Sequence, residues 1–208
     1  FKGNLSKLLD IKAFEDNVAV KCVVSYNYSI TKGKKTQKDI PFTAEMTMST
    51  VLLPQQPARP RISDSRVSVF PTEKILFDTG AQSSRKIQYA NRWRLEPSDT
   101  AAFLRGELVE PVKPIVFYID DEFSERWKPY IKEGVAQWSE VFEEIGFKNA
   151  VQAVDFPKDD PEFDPDNLKY SCVRYAPLQM ENAMGPSWVD ERSGEIINAS
   201  VYVYHDVI

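Results

Sequence analysis

The sequence predicts an α+β chain in which a β-rich first part, residues 1–108, is followed by an α/β layer, residues 109–208. Three observations predict it. The first fifty residues hold long β-branched and alternating runs. A single amphipathic helix pattern begins near Pro129. Around that helix, apolar runs follow in the order strand, helix, strand, strand, hairpin.

Taken in order, Asn4-Leu5-Ser6-Lys7-Leu8-Leu9 suggests a short helical turn. Val18 to Ile30 is rich in β-branched and aromatic residues and ends at the turn-prone Thr31-Lys32-Gly33-Lys34-Lys35. The next run alternates, with Phe42, Ala44, Met46 and Met48 on one face and Thr43, Glu45, Thr47 and Ser49 on the other. The two runs read as a long ribbon whose methionines fill a core. Pro54, Pro57, Pro60 and Pro71 then remove backbone donors and hold the chain as loop with short strands, with Arg59, Arg61 and Arg66 solvated or ion-paired beside Asp64. Lys86 to Leu95 predicts another strand, broken at Glu96-Pro97.

After Pro111, Ile115 to Ile119 is a continuous apolar run, as for a strand covered on both faces. Ile131, Val135, Trp138, Phe142 and Ile145 recur at helical spacing with Pro129 in the first turn and Gly146 as the stop. Val151 to Phe156 and Tyr170 to Tyr175 are further strands. Gly185 to Asp190 leads through the turn Glu191-Arg192-Ser193-Gly194 into a long strand, Glu195 to Tyr204.

Composition bounds the function. A chain of 208 residues with 42% hydrophobic content buries a genuine core. Its net charge of −5 repels polyanions, so no nucleic-acid partner is expected. No apolar run approaches the length of a membrane span. Cys22 and Cys172 are 150 positions apart, which fits no metal or redox spacing, and two free, buried thiols are expected, with one long-range bridge between them as the alternative. With His205 as the single histidine, a site needing two imidazoles cannot be completed within the chain. The acidic run Asp159, Asp160, Glu162, Asp164 and Asp166 lacks the glycine and terminal glutamate of an EF-hand. Asp120 and Asp121 read as the start of the helix rather than an acid–base pair.

Several segments together carry a resemblance: Arg92-Trp93-Arg94-Leu95-Glu96-Pro97, Pro114-Ile115-Val116-Phe117-Tyr118-Ile119-Asp120, Tyr130-Ile131-Lys132-Glu133-Gly134-Val135-Ala136-Gln137-Trp138, and Asp190-Glu191-Arg192-Ser193-Gly194-Glu195-Ile196 with Val203-Tyr204-His205-Asp206-Val207. The chain resembles large bacterial zinc-dependent metallopeptidases of metzincin type, densely from Arg92 onward. The resemblance implies the upper half of a metzincin-like domain, a mixed sheet with an antiparallel edge strand and one backing helix. In that family H-E-x-x-H and a further histidine follow the segment matching Tyr204-His205-Asp206. They are not in this sequence, and its two ends read as cut.

Four expectations follow from the likeness. The chain is the non-catalytic front portion of a secreted or periplasmic zinc endopeptidase. It contains no catalytic residue and no metal ligand, the zinc belonging to a longer parent. Its partner is a peptide or protein substrate, aligned on the edge Met184, Gly185, Pro186, Ser187 and Trp188, where Gly185 permits close approach and Pro186 blocks a donor. An exposed strand edge also invites dimerisation. The alternative reading is an autonomous module binding a polypeptide or glycan.

Overall fold

The computed structural model describes residues 2–207, which divide into two compact units. The smaller comprises the chain up to Leu52 together with Asp166–Leu168. After a 3-10 turn at Gly3–Leu5, β1 (Lys7–Ala13), β2 (Asn17–Lys32) and β3 (Lys35–Val51) form an antiparallel sheet in sequence order. The expected helical turn over Asn4 to Leu9 is therefore confined to its first residues. From Lys7 on, a ladder pairing Leu8 with Cys22 and Ile11 with Val20 displaces it, because so short a helix cannot nucleate. The β2–β3 ribbon forms as expected, but Met46 and Met48 are exposed rather than core. The opposite face holds the buried polar residues. The Ser25 hydroxyl bonds the Leu5 carbonyl and pairs with Thr43, while Asn17 donates to the Asp166 carbonyl and accepts from the Leu168 amide.

The larger unit contains the remaining described residues, and the position expected as a boundary, between residues 108 and 109, lies inside it. Its proline-rich start forms no strand beyond a single bridge, Ile62 to Tyr89. Three guanidinium groups hold it instead. Arg192 donates to the Pro54 carbonyl at 2.6 Å, Arg94 to Gln56 at 3.2 Å and Arg92 to Arg59 at 2.6 Å. Asp64 and Arg66 form an exposed ion pair, as expected of this loop. A hairpin follows, β4 (Pro71–Asp78) with β5 (Ser83–Ala90). β5 stops before the expected Leu95 because Arg92 turns away to bridge Glu195. The short helix α1 (Thr100–Leu104) is capped by Asp99, whose carboxylate accepts from the Ala102 amide.

The principal sheet is built from β6 (Ile115–Ile119), β7 (Val151–Asp155), β8 (Ser171–Ala176), β9 (Ala183–Met184), β10 (Ser187–Asp190) and β11 (Glu195–Tyr204). Its order is β10-β11-β8-β6-β7, with β9 also on β11. β6, β7, β8 and β11 run parallel, and β9 and β10 antiparallel. Phe117, Ile119, Val173 and Ala153 face α2 (Lys128–Ala136) and pack with its Ile131 and Val135. The expected single helix is interrupted at Gln137, after which α3 spans Trp138–Glu143. Gln137 keeps αR dihedrals, but the next bond closes a tighter turn, Glu140 to the Gln137 carbonyl at 3.3 Å; Phe142 packs inward while Trp138 is 60% exposed and Ile145 58%. Gly146 ends the run at φ +96°, where a Cβ would lie 2.7 Å from the Phe103 ring. Strand content dominates a mixed sheet with few helices, an α+β arrangement.

Candidate functional site

β9 and β10 lie end to end along the outer side of β11 as one interrupted edge strand, bringing Met184, Gly185, Pro186, Ser187 and Trp188 into a single row. The polarity of that row follows from two hydrogen bonds. Ser200 donates its amide to the Pro186 carbonyl at 2.9 Å, so Pro186 faces β11. Ala199, opposite Ser187, donates instead to Ser171 Oγ on the other side at 3.1 Å. Ser187 therefore belongs to a pair without mutual hydrogen bonds, and its N–H and C=O point outward, as do those of Gly185 two residues earlier.

Two details of the sequence reading change. The donor that Pro186 lacks is on the inner side, so it does not blunt the edge. A Cβ on Gly185 would meet only Val201 Cγ2 at 3.7 Å, an ordinary contact, so nothing among the described residues requires glycine there. Met184 and Ser187 are exposed, Trp188 is half-buried, and Tyr204 donates its hydroxyl to the Met184 sulfur at 3.6 Å.

The turn that returns β10 into β11 is rigidly built. Asp190 is fully buried and grips Arg192 through its Nε at 3.0 Å and a terminal nitrogen at 2.7 Å, while accepting the Arg192 amide at 2.9 Å. These bonds hold its carboxyl below the usual carboxylate range. The Asp190 carbonyl accepts from Ser193 and Gly194, and Gly194, at φ +77°, would bring a Cβ to 2.6 Å from the Ala90 carbonyl oxygen. The edge is thus anchored at one end by a polar knot, where the sequence pattern shows only a turn.

A cavity of about 510 Å³ is lined by Trp93, Arg94 and Glu96 together with the starts of β6 and β8. Trp93, Tyr118, Tyr170 and Ile196 wall it, with Arg94, Lys113 and Lys169 among its charged lining. Arg94 is satisfied by Glu96, and Glu195 by the Ala58 amide. Nothing in the sequence pattern signals this cavity, because its walls come from five separated segments, Pro54 among them.

Asp120 accepts from the Glu122 and Tyr175 amides, at 3.1 and 3.3 Å, and Asp121 pairs with Lys128, so the two carboxylates face different partners. His205 Nδ1 meets the Tyr175 hydroxyl at 2.5 Å. The acidic loop is fastened to the sheet by Phe163, whose ring packs against Tyr118, Phe156 and Tyr170. Cys172 is buried, its thiol pushed up to about 12 by desolvation, whereas Cys22 is only half-buried; both are free. Among the described residues no three His, Cys, Asp or Glu side chains are grouped to hold a metal ion. No helix among the described residues is long and apolar enough to cross a membrane.

The chain is thus a two-unit α+β protein whose distinguishing feature is an open antiparallel edge on a mixed, helix-backed sheet. Over residues 1–98 it is similar to a family described as a domain of unknown function, DUF5117. No curated protein and no solved structure matches it.

Proposed function

We propose that this chain is the non-catalytic front portion of a secreted or periplasmic zinc-dependent metalloendopeptidase, in which it aligns the substrate. A peptide adds in extended form to Gly185 and Ser187 through their outward backbone groups, and Met184 and Trp188 flank its side chains. The observation that carries the reading is the open antiparallel edge beside β11, on a mixed sheet backed by α2. The motif resemblance from Arg92 onward supports the peptidase class. No step of the hydrolysis is assigned to residues of this chain, because no three His, Cys, Asp or Glu side chains among the described residues are grouped to hold a metal ion.

The protein encoded by the complete reading frame, assayed on casein, should hydrolyse it in a chelator-sensitive manner. Ser187→Pro, which deletes one outward donor, should lower kcat/KM about tenfold, the loss of one well-made hydrogen bond, with an unchanged melting temperature. Chelator-sensitive turnover by the 208-residue chain alone would refute the non-catalytic assignment.

A further inference from the structure

Over Val18–Tyr28 and Ile40–Thr50 the three-stranded sheet has one face without charge, the ribbon tip beyond carrying Lys32 and Lys35 on that side. Register places Leu8, Ile11, Cys22, Phe42, Met46 and Met48 together on it, and no Lys, Arg, Asp or Glu of the paired segments Val18–Tyr28 and Ile40–Thr50 projects there. The charges stand on the opposite face, where Lys21 pairs with Glu45 and Lys12 with Asp166. Yet the apolar face is open: Leu8 is 58% exposed, Ile11 56%, Met46 43% and Met48 61%. An exposed apolar surface of this extent marks an interaction site.

Its occupant follows from shape, area and charge. At about 3.3 Å per residue and about 4.8 Å per strand, β2 and β3 run about 36 Å along Val18–Tyr28 while β1 accompanies them only over Val18–Val23, so the face projects to roughly 450 Å² before side-chain relief is counted. Stable interfaces bury roughly 600–1,000 Å² per partner, so the face is large enough only for an occupant that covers it whole. Along Val18–Tyr28 a charged partner finds nothing to pair with. A second sheet of the same right-handed twist packs on it in alignment, as the layers of a sandwich do. The surface that meets these conditions is its own duplicate, since a two-fold axis matches a face to itself. Met46 and Met48 adapt readily to such a contact.

We propose that this apolar face is a self-association surface, at which two copies of the chain pack face to face through their β1–β3 sheets. The contact is distinct from pairing through the β9–β10 edge.

The test is sedimentation equilibrium of the chain over a range of micromolar concentrations, combined with maleimide labelling of Cys22, which lies on the face, while buried Cys172 stays unlabelled. The chain should dimerise, and Cys22 labelling should slow as concentration rises. Met46→Lys should weaken the dimer roughly 100-fold, since it places an unpaired charge in an apolar contact, and restore fast labelling. Thr47→Glu, on the opposite face beside Lys21, should change neither; circular dichroism confirms that both variants fold. A monomer at every concentration overturns the proposal. So does a dimer that survives Met46→Lys, which would point to edge pairing, or a monomer that binds phospholipid vesicles through this face, which would assign it to lipid.

Discussion

Gly194 shows how one atom governs the edge strand. At φ +77° it occupies the left-handed region, and the Ala90 carbonyl oxygen stands where a Cβ would be. Gly194→Ala should destabilise the larger unit by about 3 kcal/mol, combining backbone strain with a clash that no side-chain rotation relieves. Chemical denaturation would measure it; a loss below about 0.5 kcal/mol would show that the turn relaxes freely. The neighbouring Asp190 makes a pH-dependent contribution. Its carboxyl titrates lower in the folded chain than in the unfolded one because Arg192 holds it charged. Its stabilisation is therefore complete above the unfolded value of about 4 and is lost as pH falls through the lower folded value. Asp190→Asn should cost about 2 kcal/mol at neutral pH and flatten the acid limb of the stability curve. A variant with the wild-type acid limb would mean that other carboxylates set it.

At the scale of elements, strands were legible wherever burial imposed a period. Ile115 to Ile119, the run from Val151 and Glu195 to Tyr204 all lie where the apolar pattern puts them. The helix was legible in position but not in continuity, since no periodic count registers a break such as that at Gln137. The consequence is a contrast between two residues of one stripe. Ile131→Ala should cost about 1.5 kcal/mol, the low side for a half-buried aliphatic, whereas Trp138→Ala should cost less than about 0.5 kcal/mol. Equal losses in thermal melts would mean that the stripe packs as one continuous helix after all. β1 and α1 were hidden for another reason, being short and specified by partners far away or by a single cap. Of the candidate site, the row from Met184 to Trp188 was visible. Its polarity was not, because which N–H points outward depends on the register with β11 and on Ser171 across the sheet. The methionine-bearing face was equally visible as a pattern and misread as core, since alternation reveals that a face is apolar and not whether anything covers it.

For the whole molecule, each unit exposes one surface that its own residues leave unpaired: an apolar sheet face in the smaller and a hydrogen-bonding strand edge in the larger. These suit different partners, because a flat apolar face recognises area whereas an edge recognises extended backbone. The central claim is that the β9–β10 edge receives a peptide by strand addition. Residue-resolved amide exchange tests it most directly, recorded with and without a pool of blocked heptapeptides. Strand addition predicts that the amides of Gly185 and Ser187 slow at least about tenfold at saturating peptide, while the inward amide of Trp188 changes little. Bound peptide that leaves Gly185 and Ser187 exchanging at their free rates would contradict it.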